Sequence, residues 1–382
     1  MNTARVLGWT VGCALVAGSA QAQFWAFAQD TGLTDDISNT GVAVGSSGFA
    51  GGNYFAWTAD TGSQDIGGIS PGNGVGGQAK ISNDGRYIGG TTFNAAMDWA
   101  EMSRYDRNTS SWAGFGMIPG IGQQIDAEVS SGWGMSGDGR SVVGLGWTTL
   151  GTADAHAAQW IEGVGMTDLG SNAVGNSSRA NAANFDGSVV AGWQDGNGRQ
   201  AAYWKNGVEH LIFQADGVTA EQEAFDVSDD GRYVTGFGVG GFFDPGSLWR
   251  YDTLLETYES LGNIPTGESR VAGASISGDG SMIVGGTWGF GPATFGTGIL
   301  WTEATGVVKV SDYLDSIGVS YDPGFVFAFA SGISADGEWL TGWGNYDGNL
   351  GTTTSWVVHI PTPAAPLVFA GMGLITIRRR RD

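Results

Sequence analysis

Asp226-x-Ser228-x-Asp230-Gly231 places three side-chain oxygens at alternate positions before a glycine, the spacing that opens a calcium-binding loop. Calcium is therefore the one candidate cofactor, with Asp226, Ser228 and Asp230 as its candidate ligands. The pattern stops short of a full loop, because Val234 stands where a carboxylate should return. The residues aligned with Asp226 in parallel segments of the chain are Lys80, Gly134 and Ser275, which do not share its charge. A tight hairpin turn accounts for the same Asp-Gly without a metal.

Other chemistries find less support. The three histidines, His156, His210 and His359, fall in separate segments, and the chain holds neither His-Glu-x-x-His nor Gly-x-Ser-x-Gly. The single cysteine, Cys13, sits in a predicted leader, so a mature chain would have no thiol chemistry, disulfides or thiolate metal sites. Paired carboxylates for glycoside cleavage stay open, since 38 residues are acidic, but no pair is nominated by sequence. The expectation is a protein that is not an enzyme. Trp147, Trp288 and Trp343 are the candidate binding residues, because each follows a predicted second strand whose exit loop can present an aromatic face to a sugar. The same tryptophans can instead shield seams between packed sheets.

These residues are carried by a repeat. An apolar residue, Ser, any residue, Asp-Gly and a branched residue three positions on recur at Ile81–Ile88, Met135–Val142, Val227–Val234, Ile276–Ile283 and Ile333–Leu340. Ala183–Val190 has Asn184 for the serine, and Ile37–Val44 has Thr40 for the aspartate. All but the first copy carry a second glycine five residues beyond the turn. Asp-Gly between short apolar-alternating runs predicts a β-hairpin, with glycine supplying the positive φ. A third strand is marked by Trp57, Trp160, Trp204, Trp249, Trp301 and Trp356, with Tyr105 in the second copy, all expected at one repeat position that packs neighbouring units. Fourth strands are predicted around Met166–Gly170, Val208–Phe213 and Tyr258–Leu261.

Turn glycines recur every 44 to 57 residues, close to the period of a four-stranded propeller blade. No stretch shows a convincing amphipathic helix, which disfavours a solenoid of helical repeats. The predicted fold is all-β: a seven-bladed β-propeller of four-stranded antiparallel blades over residues 23–360. The last repeat is short of a strand, so Phe24-Trp25-Ala26-Phe27 is expected to complete its blade and close the ring.

The two ends read as processing signals. Residues 1–22 combine Arg5, the apolar run Val6–Val16 and Ala20-Gln21-Ala22, the parts of a secretory signal and its cleavage site. Residues 361–382 comprise Pro361-Thr362-Pro363, the apolar run Ala364–Ile377, and Arg378, Arg379, Arg380 and Arg381. Fourteen apolar residues make a short membrane span, and the arginines would stay cytoplasmic. The chain carries a net charge of −21, and its body is more acidic still, since five arginines lie in the ends. Nucleic acid and anionic membrane surfaces are poor partners for such a body.

Proline motif, short span and arginine block in that order resemble the PEP-CTERM sorting signal, with Pro-Thr-Pro in place of the usual Pro-Glu-Pro. The resemblance implies transient membrane anchoring and an exosortase-type sorting enzyme as partner. The segments His156-Ala157-Ala158-Gln159-Trp160…Leu169-Gly170 and Ala224…Ser228-Asp229-Asp230-Gly231…Val234…Gly236 resemble the HAF repeat of extracellular bacterial proteins. That resemblance covers most of residues 33–360 and implies a secreted or surface location. The turn is also similar to the Ser-Pro-Asp-Gly turn of TolB-like propellers, though no copy here has the proline. The expected function is a secreted or surface-sorted, non-catalytic structural or interaction module, associated with exopolysaccharide, surface proteins or extracellular matrix. The alternative is an extracellular enzyme that acts on polysaccharide through paired carboxylates on one face.

Overall fold

The computed structural model describes residues 23–27, 33–47, 51–72, 75–150, 154–173, 175–238, 246–264, 270–287, 296–346 and 353–360. Both predicted processing segments, with Ala20, Ala22, Pro361, Pro363 and Arg378–Arg381, lie outside these residues, as does Trp288. No helix among the described residues is long and apolar enough to cross a membrane.

Each repeat folds into a four-stranded antiparallel sheet, and seven such sheets follow one another along the chain. Their first strands are Leu33–Ile37, Lys80–Ile81, Ser130–Met135, Ser178–Ala183, Glu223–Val227, Val271–Ile276 and Phe325–Ile333, in blades 1 to 7. These strands meet around a common axis, and the later strands of each blade lie progressively outward. The molecule is a seven-bladed β-propeller. Ring closure follows the expectation: Gln23–Phe27 pairs antiparallel with Thr354–His359 as the outer strand of blade 7. Trp25 then stacks on Trp339 of its own blade and meets Trp57 of blade 1 edge-on, so closure is made by aromatic burial as well as backbone bonds.

The hairpin motif forms a side-chain clasp. Ser82, Ser136, Ser228, Ser277 and Ser334 each donate from Oγ to the aspartate two residues on, at 2.6–2.8 Å. Each same Oγ accepts the backbone N–H five residues on, at 2.9–3.0 Å. In blade 4 Asn184 Oδ1 takes over by accepting Val189 N–H at 2.9 Å. The turn glycines all sit at φ 71–76°, where a Cβ would be strained. Blade 1 departs from the expected register. Its Ser38 N–H bonds Val42, one residue sooner than in the other hairpins, so Ile37 pairs with Ala43 and not with Val44.

That shift exposes the role of the second glycine. Six of the first strands carry a β-bulge, at Asp35, Trp133, Asn181, Phe225, Ala274 and Ser331, always three residues before the clasp Ser or Asn. The bulge pushes a carbonyl of the first strand against the second. A Cβ on Gly45, Gly144, Gly192, Gly236, Gly285 or Gly342 would lie 1.9–2.0 Å from that oxygen. Gly45 supplies the glycine that the first copy had seemed to lack. The unpaired bulge residues are thereby placed around the axis.

The third-strand aromatics need one correction. Trp57, Tyr105, Trp160, Trp204, Tyr251 and Trp301 occupy one ladder position, opposite Ala43, Ile88, Val142, Val190, Val234 and Ile283. Trp249 and Trp356 lie two residues earlier on their strands, on the same face. Burial is the common property: Trp57, Trp204, Trp249, Trp301 and Trp356 are all core residues. Trp249 packs with Tyr203 and Ala191 of blade 4, and Trp204 with Val143 and Ala157 of blade 3, which is packing between blades as expected.

Candidate functional site

Bulge and clasp together define two rings of side chains around the axis. The bulge ring reads Asp35, Ala79, Trp133, Asn181, Phe225, Ala274 and Ser331, with Ala79 filling the place in blade 2. The ring below it, two residues before each clasp Ser or Asn, reads Asp36, Lys80, Gly134, Ala182, Asp226, Ser275 and Gly332. The lower ring therefore holds two carboxylates and one ammonium among small residues. Asp35 adds a third carboxylate from above.

Asp36 and Asp226 make equivalent bonds. Asp36 Oδ2 accepts Ile81 N–H of blade 2 at 3.0 Å, and Asp226 Oδ2 accepts Ile276 N–H of blade 6 at 2.9 Å. Their Oδ1 atoms accept the N–H of Ile37 and Val227, each at 2.9 Å. Asp226 Oδ2 also accepts Ser275 Oγ–H at 2.8 Å. Lys80 Nζ reaches the Asp35 carbonyl at 3.4 Å. Asp35 Oδ2 differs from all of these: it is buried and has no hydrogen-bond partner.

Burial is the main influence on all four groups. It pushes the Asp35 carboxyl up to about 7, against the pull of Lys80, with Asp36 adding to the rise. It pushes Asp226 up to about 6, again opposed by Lys80, and raises Asp36. For Lys80 burial acts downward, but Asp36, Asp226 and Asp35 outweigh it and hold the ammonium above its ordinary value.

Two cavities open from this cluster. The one on the side away from the hairpin turns has a volume of about 590 Å³ including its open mouth. Phe225, Phe237, Phe329 and Trp343 form an apolar wall there, facing Asp35, Lys80, Gln78 and Asn181. Phe225 and Phe237 meet edge-on at 4.5 Å between centroids, and Trp343 stacks on Phe329 at 4.6 Å. The Trp343 indole N–H is also buried without a partner. The opposite cavity, of about 450 Å³, lies among the turns and is almost wholly polar, with Asn83 donating across the axis to Asp229 at 2.7 Å.

The structure separates the residues that sequence reasoning had grouped. Trp343 lines the channel, whereas Trp147 donates its indole N–H at 3.1 Å to Glu128, a buried carboxylate that also accepts Gly76 N–H. Of the candidate calcium ligands, Asp226 faces the channel and the next blade, while Ser228 and Asp230 bond each other within the clasp. No group of three or more His, Cys, Asp or Glu among the described residues is arranged to hold a metal ion. The histidines stay apart: His156 pairs with Asp168 at 3.0 Å, His210 stacks on Tyr203, and His359 packs on Trp339. Asp35, Asp36 and Lys80 were missed as site residues. The signal was present, since Lys80 aligns with Asp226, but alignment alone does not say that aligned residues converge on one axis.

No family model matches the chain, and no curated protein matches it in sequence. Solved structures do match. Oligogalacturonate lyase from Vibrio parahaemolyticus superposes with a TM-score of 0.53 at 12% identity, over 89% of this chain and 97% of that one. The β-propeller domain of the trilobed protease from Pyrococcus furiosus gives 0.47 at 12% identity, over 82% and 91%. TolB from Acinetobacter baumannii gives 0.44 at 15% identity, over 72% and 61%. At these identities the likeness is one of fold alone.

Proposed function

We propose that the chain is an exported, non-catalytic propeller that binds an extracellular ligand, in the first instance an exopolysaccharide, in the aromatic mouth of its axial channel. One observation carries this reading. Asp35 is the one carboxylate among the residues that line the aromatic mouth, where its Oδ2 has no hydrogen-bond partner, while Asp36 and Asp226 below it are engaged on both oxygens by backbone N–H groups. Hydrolysis by paired carboxylates needs a second free group. A cavity with an apolar wall and a few unpartnered polar atoms is the usual form of a binding pocket.

The leader at 1–22 and the sorting signal at 361–382 supply the proposed route to the surface, with an exosortase-type enzyme as processing partner. Mass spectrometry of the protein recovered from its host's surface tests this part. Mature ends near residues 23 and 360 are expected, and an intact Arg378–Arg381 cluster on exported protein would contradict it. A glycan array probed with the purified chain tests the binding part. Retention without shortening of the arrayed glycans is expected, whereas release of fragments would establish the enzyme instead.

A further inference from the structure

The unbalanced charge on the axis narrows the ligand, if the binding reading above holds. Three carboxylates face one ammonium, so with all groups ionised the cluster carries two negative charges that Lys80 leaves uncompensated. A buried charge without a partner is costly, and a buried polar atom without a hydrogen bond calls for an explanation. Asp35 Oδ2 is both. It lines the same cavity as Trp343, which is 7% exposed and whose indole N–H is a second unpartnered polar group, a donor this time. The wall between them is aromatic, and aromatic faces attract cations as well as apolar ring surfaces.

We propose that the aromatic mouth binds an organic ammonium carried on a hydroxylated, partly apolar body, the chemistry of an amino sugar with a free amine. The ammonium donates to Asp35 Oδ2 and brings the cluster from two surplus negative charges to one. A neighbouring hydroxyl or ring oxygen accepts from Trp343 Nε1, and the apolar face of the ring rests on Phe225 and Phe237. Lys80 stays with Asp36 and Asp226, so it supports the site without neutralising it. An N-acetylated sugar lacks the charge and an anionic sugar adds to the surplus, so both are selected against.

Calorimetric titration of the full-length chain with glucosamine, its β-1,4-linked dimer, N-acetylglucosamine and glucose tests the assignment. Both amines are expected to bind at least about tenfold more tightly than the neutral sugars, the scale of one charge-assisted hydrogen bond. Asp35→Asn should remove that preference while the melting temperature holds or rises, which separates loss of the site from loss of the fold. Affinity for the amines should also rise from about pH 5.5 to about pH 7, as Asp35 ionises among Lys80, Asp36, Asp226 and Tyr54, and fall again above about pH 8, where the sugar amine loses its proton. N-acetylglucosamine binding as tightly as glucosamine, or Asp35→Asn binding as wild type does, overturns the ammonium assignment but leaves a neutral-sugar module standing. A lysine-containing peptide binding more tightly than the amino sugars overturns the sugar as source. Cleavage of the dimer would instead overturn the non-catalytic reading on which the proposal rests.

Discussion

Asp36 and Asp226, 190 positions apart, each close one blade onto the next by accepting the backbone N–H of an isoleucine, Ile81 and Ile276. Both carboxylates stay within reach of Lys80, the single cation of the ring. The axial charges therefore act first as fasteners between blades.

Lys80→Met tests that role. It leaves three half-buried carboxylates without a cation, a change expected to cost about 1–3 kcal/mol near neutral pH. The loss should shrink at about pH 5, because the carboxyls, already raised by burial, take up protons there. Chemical denaturation at the two pH values measures it, and an equal loss at both would contradict the charge argument.

Asp35→Asn should act in the opposite sense. The folded pKa of Asp35, about 7, lies above its unfolded value, so the folded state binds the proton more tightly. Its contribution is favourable at low pH and is lost as pH rises through 7. The variant is expected to be more stable than wild type at about pH 8 by on the order of a few kcal/mol, and near equal below about pH 4. A melting temperature that falls at pH 8 would show that the carboxylate is stabilising after all.

The clasp gives a third expectation. Ser228→Ala removes a buried hydroxyl that both donates to Asp230 and accepts Tyr233 N–H, and should cost about 1–3 kcal/mol. Ser334→Ala, in blade 7, which does not adjoin blade 5, should cost a similar amount, and the double variant should show the sum to within about 0.5 kcal/mol. Denaturant midpoints decide it, and a much smaller cost would mean that the glycine alone specifies the turn.

Much of this was legible in the residues because the repeat is local. The hairpin, its glycine and the third-strand aromatic lie within about twenty positions of one another, so spacing alone defined seven four-stranded units. Ring closure was legible too, since Phe24–Phe27 was a strand without a hairpin and the last repeat lacked a strand. The register of blade 1 was not, because the chain is one residue shorter after Gly41, so that Val42 stands where Tyr87 stands in blade 2, as the backbone bonds of Ser38 reveal. The site was least legible. Asp35 stands out only once the bulge lifts it from the ladder, and its neighbours Lys80 and Phe225 come from blades whose sequences are far apart.

Ring closure carries its own test. Trp25→Ala removes contacts to both Trp57 and Trp339 and should cost about 3 kcal/mol. Limited proteolysis should then cut first beside the joint between blades 7 and 1. A variant that resists as one unit, with unchanged melting, would show that the outer strand contributes little to closure.

On the proposed reading the axial mouth, and not the tryptophans outside it, holds the ligand. Glycan-array binding by wild type, Asp35→Asn and Trp147→Phe measures this directly. Asp35→Asn is expected to lose about tenfold or more of the wild-type signal and Trp147→Phe to keep it, with the bound glycans intact. Signal lost in Trp147→Phe but kept in Asp35→Asn would contradict it.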